Sequence, residues 1–243
     1  VIYMYANKYI TQFNNFKGYP WTGLNNINFP LLEELDLTNI KNIPSNDFFF
    51  GGVYTSTNVG LKNIKRLILK NVTLSGPNAA AYTLDVSRCS KLEYLDLSGS
   101  SITNVTLPSS AVLKTYDISG TAITSLNLSN QAFLETLLIN ECNQLSTIVI
   151  ENCGKLRTLS IPKNVSNLTI RNCPSLTSLE IPYTSINNSI SSLIKVTIDN
   201  CPGLTTFSIT GQNNPSLVVE LAGAWNLQNL NLYGCNINSN NLT

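Results

Sequence analysis

A six-residue pattern, L-x-x-L-x-L with Ile, Tyr or Phe as occasional stand-ins, returns along most of this chain and restricts the folds open to it. It reads "LEELDL" from Leu32, "IKRLIL" from Ile64, "LEYLDL" from Leu92, "LKTYDI" from Leu113 and "LETLLI" from Leu134. It continues as "LRTLSI" from Leu156, "LTSLEI" from Leu176, "LTTFSI" from Leu204 and "LQNLNL" from Leu227. Five of the eight steps between those starts lie between 20 and 23 residues, a period that signals a repeat architecture. A second apolar-x-apolar triplet follows about ten residues later, as in "VTL" (105–107), "LNL" (126–128), "IVI" (148–150), "LTI" (168–170) and "VTI" (196–198). Alternation of period two over so few residues predicts short strands with one buried face. Two strands per unit, separated by turns rich in Ser, Asn, Pro and Gly, predict one coil of a solenoid. A lone coil cannot bury its apolar edge, so neighbours stack. The expectation is about nine coils, each with two short parallel strands and few or no helices on the convex side.

Composition agrees with stacked β-structure. The chain is 43% hydrophobic but only 12% charged, about half the usual share, and Asn, Ser and Thr supply the polarity. A net charge of +1 gives no electrostatic case for nucleic acid or an anionic membrane. No apolar run approaches the ~20 residues of a membrane-spanning helix, so no membrane insertion is expected. Histidine is absent, which removes Ser-His-Asp and Cys-His catalysis and most zinc and iron sites. With no Gly-rich phosphate loop and no evident pocket either, the expectation is no enzyme and no cofactor.

The repeats resemble those of the leucine-rich-repeat family. "LTSLEIP" and "LRTLSIP", each followed by turn residues and an Asn/Cys position, look most like the BspA-like bacterial surface proteins. The resemblance spans about Leu32 to Thr243. Those repeats carry an alanine-phenylalanine segment before the cysteine that forms a short convex helix, whereas "VSNLTIRNC" here reads as a strand. In leucine-rich repeats the position three residues beyond a triplet turns inward against backbone groups of the bend. Here it holds Cys89, Cys142, Cys153, Cys173, Cys201 and Cys235, with Ser100, Thr121, Gln131, Asn164 and Gln212 among the others. Compact, readily buried thiols suit such a slot. Two alternatives stand beside packing. Cys153, Cys173 and Cys201 fall on successive coils, close enough for a disulfide, although their side chains point the same way. A metal site would lack C-x-x-C spacing.

Residues 1–31 do not repeat and are dense in aromatics, from Tyr3 to Phe29; they read as an N-terminal cap over the open coil edge. The solenoid then runs from 32 to 243, with insertions near 43–60, 74–82 and 183–192. "LQNLNLYGCNINSNNLT" stops before a second strand, so the natural chain is expected to continue. Phe48, Phe49 and Phe50, ahead of Gly51-Gly52, either pack under the cap or form a contact patch.

Alternation also assigns the outward columns of the first strands. They include Arg66, Tyr94, Asp96, Asp117 and Leu138, with Asp96 and Asp117 on adjacent coils. Two carboxylates on flat strands give too few oxygens for a calcium site, and no cleft accompanies them for glycosidase work. The leading expectation is a non-enzymatic module that binds a protein, or a glycan, through the first-strand face together with Phe48, Phe49 and Phe50. The BspA-like resemblance implies adhesion, at a cell surface or after secretion. The alternative is a structural spacer or fibre segment of a larger surface or virion assembly, with no ligand of its own.

Overall fold

The structure is a computed structural model, and it describes residues 12–13, 31–41, 43–44, 62–75, 83–109, 112–182, 192–212, 214–237 and 242–243. The proposed aromatic cap falls almost wholly outside these residues. So do Phe48, Phe49 and Phe50 and most of the three insertions. No described residue is helical. The chain divides into two compact units, Val1–Asp117 and Ile118–Thr243.

The first unit holds β1 (Gln12–Phe13), β2 (Glu34–Asp36), β3 (Ile43–Pro44), β4 (Arg66–Ile68), β5 (Leu74–Ser75), β6 (Thr83–Asp85), β7 (Tyr94–Asp96), β8 (Asn104–Thr106) and β9 (Thr115–Asp117). Strands β1, β2, β4, β7 and β9 lie side by side in that order, all parallel. Two smaller parallel pairs, β3 with β5 and β6 with β8, complete it. Each L-x-x-L-x-L hexad places its strand on residues three to five, so the fourth residue points inward. Leu35, Leu67, Leu95 and Tyr116 therefore stack in register as one buried column. Burying one such leucine is worth about 1.5–3 kcal/mol.

The second unit holds β10 (Ser125–Ser129), β11 (Thr136–Leu138), β12 (Thr147–Glu151), β13 (Thr158–Ser160), β14 (Asn167–Arg171), β15 (Ser178–Ile181), β16 (Lys195–Asp199), β17 (Thr206–Ile209), β18 (Val218–Ala222) and β19 (Asn229–Asn231). One parallel sheet runs β10-β12-β14-β16-β18 and another β13-β15-β17-β19. Leu126, Ile148, Leu168, Val196 and Val219 form one inward column of the former, all buried. Leu128, Ile150, Ile170 and Ile198 form the next. Such Val/Ile/Leu-rich parallel strands need cover on their apolar face. In each unit, repeated parallel strands follow one another in sheet order as in a β-solenoid.

The bends are set by residues in the left-handed region. In the second unit the bends after the second strands carry Asn130, Asn152, Asn172 and Asn200, with φ of 61°, 56°, 52° and 50°, while Glu141 (φ 59°) holds the same conformation after a first strand. Asparagine tolerates this conformation better than other residues with a side chain, glycine excepted. Their amides link in series: Asn152 Nδ2 donates to Asn130 Oδ1 at 2.7 Å, Asn172 Nδ2 to Asn152 Oδ1 at 2.9 Å and Asn200 Nδ2 to Asn172 Oδ1 at 2.8 Å. Gly223 (φ 68°) follows in the same place, where an added Cβ would sit 2.8 Å from the Asn200 backbone. The first unit has a shorter version, Asn71 Nδ2 donating to Asn39 Oδ1 at 3.0 Å.

Candidate functional site

In the first unit, Arg66 and Tyr94 are register partners on β4 and β7. The guanidinium carbon lies 3.6 Å from the Tyr94 ring centroid, and both side chains are half-buried. The stacked pair holds a flat cation and an aromatic ring in one fixed orientation on the sheet face. Two ion pairs between successive turns border this region, Lys65–Glu33 at 2.9 Å and Lys114–Glu93 at 2.6 Å. Their side chains are about half exposed, so each contributes little to stability.

Asp96 departs from the expectation of an outward acidic column. It is only 7% exposed, and its Oδ1 accepts the Ser98 N–H at 2.9 Å. Asp36 and Asp85 do the same for Thr38 and Ser87, each at 2.9 Å. The carboxylate closes the turn just after its strand, a local bond that strand alternation alone does not reveal. Asp96 and Asp117 do stand opposite each other on β7 and β9, and Asp117 is half-buried. Among the described residues, no three or more His, Cys, Asp or Glu side chains are grouped to hold a metal ion.

In the second unit, Leu138 at the end of β11 is 38% exposed. The outward positions of β13, β15 and β17 are Thr158, Ser160, Ser178, Glu180, Thr206 and Ser208, a small-residue polar face. On the other sheet, Glu220 receives Lys195 Nζ at 2.7 Å and Thr197 Oγ1 at 2.9 Å, which hold its carboxyl below the usual range. Here Phe133, nearly half exposed, lies under Lys155 Nζ at 4.7 Å from the ring centroid.

Five of the cysteines are buried, and Cys235 is partly so; none forms a disulfide. Cys153, Cys173 and Cys201 follow Asn152, Asn172 and Asn200 directly, and their thiols reach carbonyls of their own bends: Cys173 Sγ to Arg171 O at 3.3 Å, Cys201 Sγ to Asp199 O at 3.5 Å, Cys153 Sγ to Glu151 O at 3.6 Å. Their thiols also shift one another's ionisation along the column. The bond to Cys153 pushes the Cys173 thiol up to about 11, and the bond to Cys173 raises that of Cys201. Receiving the Cys173 hydrogen bond lowers that of Cys153. Burial pushes Cys89 up to about 12. In the other bend column, Cys142 Sγ donates to Ile118 O at 3.0 Å. Asn164 breaks the inward pattern: it is exposed, its Nδ2 reaching Asn143 O at 2.6 Å, while Val165 is buried in its stead. The bend containing Pro162 and Lys163 is one residue longer.

Sequence reasoning passed over the asparagine column, although its signal was present. Asn-Cys recurs at 152–153, 172–173 and 200–201, with Asn130-Gln131 in the same place. It also missed Trp225 and Tyr233, which are 82% and 83% exposed. Among the described residues no helix is long and apolar enough to cross a membrane. Compared with known protein families, curated proteins and solved structures, the chain shows no match.

Proposed function

We propose that the chain is a leucine-rich-repeat solenoid of about nine coils, of the BspA-like kind, and that it serves as a non-enzymatic recognition module at a cell surface or in a secreted protein. The reading rests on one observation above the others. Arg66 and Tyr94, half-exposed and stacked at 3.6 Å, are presented on a rigid sheet. Arg and Tyr are the residue types that dominate binding energy in protein interfaces, and a preorganised pair loses little entropy on docking. The partner is a protein of the host or of another surface, or a glycan, engaged through the first-strand face. Asp117 borders that face in the first unit; Leu138 is the exposed apolar residue of the corresponding strand β11 in the second.

The test compares the intact chain with Arg66→Ala and Tyr94→Ala variants against extracellular-matrix, serum and bacterial-surface extracts. Loss of a captured partner by more than tenfold, with the melting temperature unchanged, supports the reading. Equal capture by all three proteins removes this face from consideration.

A further inference from the structure

Asparagine two residues ahead of a Ser or Thr, with any residue but Pro between them, is the pattern that takes an Asn-linked sugar. Within the described residues it occurs at Asn71, Asn104, Asn127, Asn164 and Asn167; two more such triplets, starting at 187 and 241, lie outside them. In a chain this rich in Asn, Ser and Thr the triplet alone selects nothing. The structure sorts the five into two groups.

Asn71 and Asn164 are committed to bends. Asn71 holds φ at 54°, donates Nδ2 to Asn39 Oδ1 at 3.0 Å and lies against Gly99. Asn164 donates Nδ2 to Asn143 O at 2.6 Å, and the Ser166 hydroxyl of its triplet donates to Ser146 O at 3.0 Å. A sugar on either nitrogen would disturb a bond between successive coils.

Asn104, Asn127 and Asn167 stand instead on β8, β10 and β14, and all three are exposed. Period-two alternation puts Thr106, Ser129 and Thr169 on the same outward face as the asparagine of each triplet. At Asn127 the two groups meet, Ser129 Oγ donating to Asn127 Oδ1 at 2.9 Å. Among the described residues Nδ2 of Asn104 and of Asn127 has no partner, and that of Asn167 has the adjacent Ser166 hydroxyl at 3.2 Å. Substitution at these nitrogens breaks no bond between coils. In the second unit β12 separates Asn127 from Asn167, so two strand spacings, about 10 Å, lie between them. All three belong to second strands, and no described first strand carries such a triplet.

We propose, on the cell-surface or secreted reading above, that Asn104, Asn127 and Asn167 are glycosylated, so that sugar stands on the second strands and leaves the first-strand face bare. The donor is an oligosaccharide carried on a polyprenyl diphosphate. Asn Nδ2 attacks its anomeric carbon, the carbon–oxygen bond to phosphate breaks as the carbon–nitrogen bond forms, Nδ2 gives up one proton and the lipid diphosphate leaves. A chain with a net charge of +1 and only 12% charged residues has little charge repulsion to keep copies apart, and surface sugar supplies solubility in its place.

The experiment directs the 243-residue chain into the secretory pathway of eukaryotic cells. Peptide:N-glycosidase in heavy-oxygen water then marks every asparagine that carried sugar, read by peptide mass mapping. The expected label at Asn104, Asn127 and Asn167 is at least tenfold above that at Asn71 and Asn164. Thr106→Ala, Ser129→Ala and Thr169→Ala, each checked for folding by circular dichroism, should each erase only the label of its own triplet; if one fails to fold, the other two decide. A secreted chain bare at all three positions overturns the proposal. So does equal label at Asn71 and Asn164, which would mean that the fold does not select among the triplets. Because secretion is imposed, these outcomes concern the asparagines alone, whereas a native chain found inside the cell would defeat the surface reading.

Discussion

Asn172 donates an amide hydrogen to Asn152 at 2.9 Å while accepting one from Asn200 at 2.8 Å, with its own φ at 52°. One side chain thus meets two separate demands, a left-handed backbone and a link between successive bends. Asn172→Ala loses both, and the left-handed conformation alone costs about 1–2 kcal/mol with a Cβ that gives no local bond. Asn172→Gly relieves the backbone but still breaks the amide series. The expected order of stability in urea is Asn172, then Gly, then Ala, with Ala lower than the parent by about 2–3 kcal/mol once the lost hydrogen bonds are added. Equal stability of the Gly and Ala variants would show that the backbone conformation is not what the position selects.

The cysteines predict a chemical silence. A thiol held near 12, as Cys89 is, or near 11, as Cys173 is, carries almost no thiolate at neutral pH. With an aromatic disulfide reagent at pH 8, the folded chain should give a slow reaction confined to Cys235, the one cysteine that is not fully buried. The rest should appear only in denaturant. The sign of the pH effect follows from the same shift. A folded thiol pKa above the unfolded value, about 8.5, gives stability that is intact below that pH. It is lost as pH rises toward about 12, so a Cys89→Ala variant, with no thiol to ionise, should lose less stability between neutral and alkaline pH than the parent does.

Ser100 marks a place where the column is imperfect. It is buried, and its Oγ has no hydrogen-bond partner, whereas Thr121 Oγ1 in the same slot donates to Ile118 O at 2.7 Å. An unpaired buried hydroxyl costs about 1–3 kcal/mol. Ser100→Ala should raise the melting temperature, and Thr121→Ala, which discards a made bond, should lower it. A fall with both would place the value of Ser100 in packing rather than in its hydroxyl.

How far the sequence could be read depends on which physical interaction each residue serves. The hexads were legible because period-two alternation and inward Leu are the same fact seen in sequence and in space; Leu35, Leu67 and Leu95 could hardly be elsewhere. The second triplets were legible for the same reason: β10, β12, β14 and β16 enclose four of them, and β8 covers the first two residues of the fifth. Asp96 was misjudged because alternation assigns a face but not a bond, and its bond is to a backbone N–H two residues on. Asn164 slipped because a bend longer by one residue shifts everything counted from the strand. Leu230 could not be read at all: its place in the hexad matches that of Leu179, yet it is 43% exposed where Leu179 is buried.

The asparagine bends also apportion where the molecule tolerates change. From the left-handed residue after each of these second strands to the next first strand the span is constant, Asn152 to Thr158, Asn172 to Ser178, Asn200 to Thr206 and Gly223 to Asn229. From first strand to second it is not: Ser160 to Asn167 is short and Ile181 to Lys195 long. One bend acts as a ruler and the other as a margin. Amide side chains locked to the bends before and after leave no slack at the ruler, so added or deleted sequence is accommodated only at the margin. Foreign loops spliced between Ile181 and Lys195 would ride on the scaffold, whereas a single residue inserted after Asn172 would put the apolar positions of β15 on the wrong face.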